Sequence, residues 1–353
     1  MPRPPASVTS FSRRITTTIS RFGRPQFPHT ISSAAPFNRD ILRELEACAQ
    51  DGILFGTSYS IIDWYHRDFL PSEHGGPGPL NDTASGEPSF PRSVACMGAQ
   101  LRELITQYNP AVLQFDGEWA DAFTPEISAD LHRFVRDSNP QILVNSRIDK
   151  GRFPSDEADK GSWNRSIYAG DFGERERMVA WVHHEHEDQG EILAPGQGWV
   201  TNDRAQWSWN ETPDLMTADE IIVDLVKTGG DNGNYLINMP PRPDGSFDPT
   251  QQALRLEVGA WLHRHGQSIY HTCGGPRKHE GSYTSTQPGD TRHLHLYDPA
   301  TTKIELLIPA TTKITTLEGT SVSTERISAE LRLLLPEAVG NSPVRVSKIQ
   351  LTD

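Results

Sequence analysis

Cysteine is scarce: Cys48, Cys96 and Cys273 are the only three in 353 residues, and they lie far apart. That spacing excludes a disulfide framework and a cysteine-built zinc site, and leaves the three as expected core thiols. Long apolar runs are missing too. None approaches the roughly 18 residues of a membrane span, so no membrane insertion is expected. Positive charge is in deficit, with 33 Lys and Arg against 46 Asp and Glu and a formal net charge of −13. Nucleic acid and anionic membrane surfaces both require a basic face, so neither is expected as a partner, whereas a neutral substrate fits the balance. Acid is wholly absent from residues 1–37, which carry Arg3, Arg13, Arg14, Arg21 and Arg24 among Ser, Thr and Pro. This composition resembles an organellar transit peptide, with a disordered leader as the other reading; it lacks the continuous apolar core of a secretory signal.

The 28 Gly, 27 Pro and 8 Trp make a loop-rich, aromatic profile that fits a carbohydrate-active enzyme without demonstrating one. From Asn38 the pattern becomes ordered. Ile41, Leu42, Leu45 and Cys48 recur at helical spacing, followed by an apolar run from Ile53 to Ser60 and a Pro/Gly-rich loop from His66 to Pro91. Met97, Leu101, Leu104, Ile105 and Tyr108 share one helical face, and Ala111 to Phe115 reads as a buried strand ending at Asp116-Gly117. Thr124-Pro125 opens the next helix, Gln141 to Asn145 the next strand. Thr217 and Glu220 form a capping box, Tyr235 to Met239 a strand, and Asp248-Pro249 the start of a helix reaching about Gly266. About five strand–helix units precede residue 270, with none detectable before Asn38. An open doubly wound sheet could use five, and a (β/α)8 barrel needs three more. After about residue 280, short strands at Leu294–Tyr297, Ile304–Ile308, Ile314–Leu317, Ile327–Leu335 and Val344–Leu351 predict a small antiparallel β-sandwich or sheet. Pro-Ala-Thr-Thr-Lys-Ile occurs at 299–304 and again at 309–314, which suggests repeated hairpin units.

Asp116 stands at the carboxyl end of a predicted parallel strand, where α/β folds collect their active sites; capping the turn that follows is its other reading. Tyr59, Asn145, Ser146, Arg147 and Trp119 end or follow neighbouring strands. A carboxylate, a guanidinium and aromatic rings at one sheet edge suit a sugar, with rings on its apolar face and charged groups on its hydroxyls. The run His183-His-Glu-His-Glu-Asp188 reads as a solvated polar loop or, through His183 and His186, a metal site. Gly229-Gly-Asp-Asn-Gly-Asn234 lacks a Gly-Lys-Ser/Thr ending and reads as a tight helix-to-strand turn instead of a phosphate cradle. Sequons stand at Asn81, Asn164 and Asn210.

Several blocks in order carry a resemblance: Asp63-Trp-Tyr-His66, Gln100-Leu-Arg-Glu-Leu-Ile105, Leu113-Gln-Phe-Asp-Gly-Glu-Trp119, Gln206-Trp-Ser-Trp209, Gly229 to Asn238, Pro243-Asp-Gly245 and Gly266-Gln-Ser-Ile-Tyr270. Between about 38 and 276 the chain resembles the α-L-fucosidases of glycoside hydrolase family 29. The resemblance implies a (β/α)8-like barrel over 38–275 followed by a β-sandwich over 280–353, with 1–37 as a leader and the start of the barrel missing. It implies a retaining glycosidase releasing terminal L-fucose from fucosylated glycans, without cofactor or metal, in a secreted or lysosome-like setting. Asp116 would be the nucleophile, and Tyr59, Trp119 and Arg147 sugar contacts. The family's acid/base belongs to a Trp-Glu pair, and the matching pair here is Trp199-Val200. Glu185, Glu187 and Glu191 are the nearby acids, of which Glu191 is the candidate acid/base. Gln114 replaces a usual Trp. These departures make a truncated, catalytically silent glycan-binding homologue the competing expectation.

Overall fold

The computed structural model describes residues 16–18, 40–48, 54–63, 68, 89–150, 170–176, 183–186, 190–193, 196–275, 281–298, 300–301, 303–306, 313–317, 321–327, 330–334 and 342–350. The chain divides into two compact units, Arg13–Phe172 and Gly173–Asp353, the latter grouped with Met1–Ser12. The division falls inside the 38–275 segment that the sequence suggests as one domain.

The first unit runs β1 (Thr16–Thr18), α1 (Ile41–Cys48), β2 (Gly56–Ser60), α2 (Phe90–Tyr108), β3 (Val112–Asp116), α3 (Pro125–Ser138) and β4 (Leu143–Val144). Its strands lie parallel in the order β1-β2-β3-β4. β1 lies inside the segment expected to be a leader, in a Thr-Thr-Thr run whose lack of apolar alternation hides it from periodicity. α2 begins with a proline in its first turn and ends at Asn109, whose left-handed φ of 41° lets its N–H return to Ile105 O. Thr124 caps α3 by accepting from Ile127 N. The apolar stripe of α2, Met97, Leu101, Leu104, Ile105 and Tyr108, is buried in one cluster with Leu113 and Phe115 of β3. Each such side chain contributes about 1.5–3 kcal/mol on full burial.

The second unit continues with β5 (Gly173–Glu176), β6 (His183–His186), β7 (Gly190–Leu193), β8 (Gly196–Thr201), α4 (Ala218–Gly230), β9 (Gly233–Asn238) and α5 (Pro249–His265). β5, β8 and β9 form a parallel sheet, and β6 and β7 an antiparallel hairpin, so the polar run at His183 is a strand and not the loop the sequence suggests. The Thr217–Glu220 capping box opens α4. Asp248 caps α5 by accepting from Thr250 N.

The strands that follow are β10 (Cys273–Gly274), β11 (Tyr283–Gln287), β12 (Thr291–Leu296), β13 (Lys303–Leu306), β14 (Lys313–Thr316), β15 (Ser323–Ile327), β16 (Glu330–Leu334) and β17 (Arg345–Gln350). They make antiparallel sheets ordered β10-β11-β12-β17-β14 and β13-β16-β15. The strand expected at 327–335 is β16, and the segment before it, not expected to be a strand, is β15, which pairs with it as a hairpin. The two copies of the hexapeptide end in β13 and β14, in different sheets, and their isoleucines, Ile304 and Ile314, meet in one cluster with Leu294, Leu296 and Ile349. Of the expected core thiols, Cys96 is half-buried and Cys273 exposed; Cys48 lies on α1 with its side chain outside the described residues.

α4 packs against β10 and β11 through its C-terminal glycines. A Cβ on Gly230 would fall 1.8 Å from Thr284 Oγ1, so only glycine allows this approach. The glycine-rich 229–234 segment is thus a turn fitted to a neighbouring strand. Behind it, His293 and His295 of β12 are buried. Thr286 Oγ1 donates to Ser268 O at 2.6 Å, so at 3.0 Å it accepts from His295 Nε2. Burial, reinforced by neighbouring positive charge, pushes His295 down to about 3 and His293 to about 4.

Candidate active site

Parallel register fixes which β3 side chains share a face. Ser58 pairs with Gln114 and Ser60 with Asp116, and Ser58 Oγ donates to Gln114 Oε1 at 3.2 Å, so Gln114 and Asp116 share the face opposite α2. Asp116 closes the strand. The residue after it must be glycine: Gly117 has φ +100°, and a Cβ there would sit 2.7 Å from Ile62 Cγ1 and 2.9 Å from Ile62 N. Ile61 N donates to Asp116 O at 2.7 Å, tying the end of β2 to this turn. Beyond Gly117 the side chains alternate between inside and outside. Glu118 is 1% exposed and Trp119 41%.

β4 contributes two residues and then Asn145 extends it by side chain. Asn145 Nδ2 donates to Phe115 O at 2.8 Å while its Oδ1 accepts from Phe115 N at 2.7 Å, so one amide replaces a rung of the ladder. The backbone is released into a 3-10 turn, Ser146–Ile148. Gly170 backs this turn, where a Cβ would lie 2.6 Å from Ser146 N.

The turn delivers Arg147, 5% exposed, to Asp116: Nη1 donates to Asp116 Oδ1 at 2.7 Å and lies 3.8 Å from Glu118 Oε2. Its guanidinium carbon lies 5.6 Å from the centre of the Trp119 ring, a cation–π arrangement. The Asp116 side chain is 52% exposed, so a solvent-accessible carboxylate is held by a buried cation. Lys150 Nζ donates to Ala120 O at 2.7 Å; burial pushes its pKa down, against the pull of Asp121 and Glu118.

Three of the sequence-predicted site residues, Asp116, Trp119 and Arg147, therefore meet in one corner. Tyr59 does not join them. It pairs with Phe115, so the two-residue period turns it to the α2 side, where its hydroxyl donates to Gln100 Oε1 at 2.6 Å. Glu118 is the residue that sequence reasoning missed; the signal was the glycine before it, whose positive φ turns the next side chain inward.

In the second unit, β8 ends at Val200-Thr201. Val200 pairs with Ile237, and Tyr235 and Ile237 line an apolar cavity of about 170 Å³ with Ile221 and Leu225 of α4 and Val258 and Leu262 of α5. Val200 is therefore buried on the helix side of its sheet. The next loop is organised by Asp203, which accepts from Ala205 N, Asp214 N and Asn210 Nδ2. Asn210 Oδ1 also accepts from Thr212 N at 2.7 Å, so both ends of this sequon amide are engaged in the fold. Asn81 and Asn164 lie outside the described residues. Glu191 sits in β7 paired with Glu185 of β6; neither side chain is among those described, and Glu187 lies outside them. Among the described residues no three His, Cys, Asp or Glu side chains group as a metal site, and no helix is long and apolar enough to cross a membrane.

The α-L-fucosidase family model matches residues 22–267. Tissue α-L-fucosidase of Bos taurus is 27% identical over 243 residues, covering 66% of this chain and 45% of that protein. The Homo sapiens tissue enzyme is 26% identical over 242 residues, with 66% and 45% covered. The chain spans less than half the length of these curated relatives. Among solved structures, α-L-fucosidase isoenzyme 1 from Paenibacillus thiaminolyticus superposes with a TM-score of 0.76 at 23% identity, covering 99% of this chain and 87% of that one. An α-L-fucosidase of Bacteroides thetaiotaomicron, trapped as a covalent intermediate with 2-fluoro-fucosyl fluoride, gives 0.73 at 21% identity, with 97% and 79% covered. These likenesses show a shared fold. The parallel strand–helix units, the antiparallel sheets after them and the match over 22–267 agree: the chain belongs to the α-L-fucosidase family.

Proposed function

We propose that the chain is a retaining α-L-fucosidase, releasing terminal L-fucose from fucosylated glycans or glycosides. The observation that carries this reading is the half-exposed Asp116 carboxylate at a parallel strand end, held at 2.7 Å by the buried Arg147. In a retaining mechanism an Asp116 oxygen bonds to the anomeric carbon while the bond to the leaving oxygen breaks with its electron pair. An acid protonates that oxygen, and water later releases the sugar. Trp119, exposed above Arg147, offers an apolar ring face for stacking, and Arg147 binds ring or hydroxyl oxygens.

The acid/base assigned here is Glu191, from the β6–β7 hairpin. In this reading the parallel strands from β2 on belong to a (β/α)8-like catalytic domain over 38–275, the strands of 280–353 form the β-sandwich, and β1 joins the parallel sheet from within 1–37, so that segment is not wholly a leader. No cofactor enters the chemistry.

A second reading, a catalytically silent glycan-binding homologue, is favoured by one observation: the position matched to the family's acid is Val200, buried and unable to give up a proton. An aryl fucoside, whose leaving group needs little protonation, separates the two. Turnover of aryl fucoside and natural glycan, both abolished by Asp116→Ala, supports the enzyme. Turnover of the aryl fucoside alone means that the acid is lacking, since general-acid catalysis supplies about 10²–10⁴-fold. Binding of the glycan without turnover of either substrate establishes the silent homologue.

A further inference from the structure

Beside Asp116 the first unit buries a second carboxylate that the mechanism above does not use. Glu118 is 1% exposed, and a carboxylate removed from water costs several kcal/mol unless a cation offsets it. The Arg147 Nη1 nitrogen stands 3.8 Å from Glu118 Oε2 and 2.7 Å from Asp116 Oδ1, so one guanidinium nitrogen serves both carboxylates. The two carboxylates differ in setting: Asp116 opens to solvent and Glu118 is enclosed. Charged groups in the turns that follow are Asp121, Asp149 and Lys150, with Glu118 and Asp121 both acting on Lys150.

We propose that Glu118 is a positioning residue for Asp116, acting through Arg147. The inference rests on the reading of Asp116 as nucleophile. A guanidinium in a dry site with a single carboxylate binds it strongly and withdraws electron density from it. Shared with Glu118, Arg147 holds Asp116 in place without neutralising it. The arrangement has a second consequence in the covalent step. When an Asp116 oxygen joins the anomeric carbon and the leaving group departs with the bonding pair, Asp116 loses its charge. Glu118 then stays as the counter-charge of Arg147, which keeps the guanidinium seated until water restores the carboxylate. Between the two, Gly117 makes the turn at positive φ, with Asp116 open to solvent and Glu118 enclosed, both within 4 Å of Arg147 Nη1.

Two measurements on the full chain test this. The first is the titration of the Asp116 carboxyl carbon by ¹³C NMR, assigned by its loss in Asp116→Asn, which is independent of turnover. Removing the neighbouring negative charge in Glu118→Gln moves the Asp116 midpoint to lower pH, and Glu118→Asp, which retracts the charge, moves it less in the same direction. A purely packing role leaves the midpoint where it is. An unmoved midpoint in either variant, once circular dichroism shows it folded, overturns the proposal; if Glu118→Gln does not fold, Glu118→Asp carries the test alone. The second is labelling with 2-deoxy-2-fluoro-fucosyl fluoride, whose fluoride leaves without protonation, read by intact mass. Labelling of the parent chain at Asp116 supports the nucleophile reading, and its absence removes that reading while the titration still decides the coupling. Where the parent is labelled, Glu118→Gln slows labelling about tenfold, the effect of one perturbed charge-assisted contact; an unchanged rate overturns the positioning role.

Discussion

The end of β3 and the loop after β8 each place a carboxylate at the carboxyl end of a parallel strand, and they use it in opposite ways. Asp116 is half-exposed, its partner Arg147 buried. Asp203 is 1% exposed and accepts from two backbone amides and the Asn210 side chain, fixing the shape of residues 203–214. An acid at the carboxyl end of a parallel strand is thus available for chemistry only where the following loop leaves it at the surface. The units also bury charge differently. The first encloses an ion cluster around Arg147, whereas the second encloses neutral histidines on β12.

The largest effect expected is at β8. Val200→Glu puts a carboxyl among apolar neighbours on the α4 side, a loss of about 3 kcal/mol or more by urea denaturation. Glycan turnover does not rise; a stable variant with new glycan turnover would break the contrast between the two strand ends. Next comes Gly117→Ala, where positive φ and the approach of Ile62 together cost about 2–4 kcal/mol. A variant as stable as the parent would show that the turn can relax.

The histidines make the second unit acid-sensitive. His295 and His293 titrate in the folded chain near 3 and 4, below the ordinary value of about 6.5. Between these limits the unfolded state binds more protons, so stability is fully present above about 6.5 and is lost as pH falls towards 3. Melting temperatures between pH 7 and 4 should fall, and less so in His295→Gln, whose Nε2 can still donate to Thr286. Equal slopes in parent and variant would discard His295 as the cause. The smallest effect is Tyr59→Phe: about 1 kcal/mol for the bond to Gln100, with turnover and labelling at parent rates. A hundredfold loss of activity would return Tyr59 to the sugar site.

Features encoded within a few residues were legible in the sequence. The Thr217–Glu220 box, the Thr124 and Asp248 caps and the α2 stripe depend on local hydrogen bonds and a 3.6-residue period. The Asp116–Arg147 pair was readable only as two strand ends, because its contact depends on Asn145 replacing a rung of the ladder. Tyr59 was misread because its face follows from register against β3, a non-local quantity. β1 and β8 were missed for want of alternation: one is Thr-Thr-Thr, the other begins Gly-Gln-Gly. β15 was missed because Ser-Thr-Glu-Arg-Ile holds a single apolar residue, whereas β16 was legible through its leucines.

The bare seam beneath α4 governs how the second unit comes apart. Gly230 against the Thr284 side chain and Gly274 against the backbone of Gly230 and Asn232 leave no room for a single added carbon, so helix terminus and antiparallel sheet meet across two contacts, each made by a bare glycine. Surfaces so closely fitted do not slide or part by degrees. The parallel and antiparallel sheets of this unit therefore form one foldon: their amides should exchange with solvent through a shared opening, and the C-terminal strands should not melt ahead of the helix they touch.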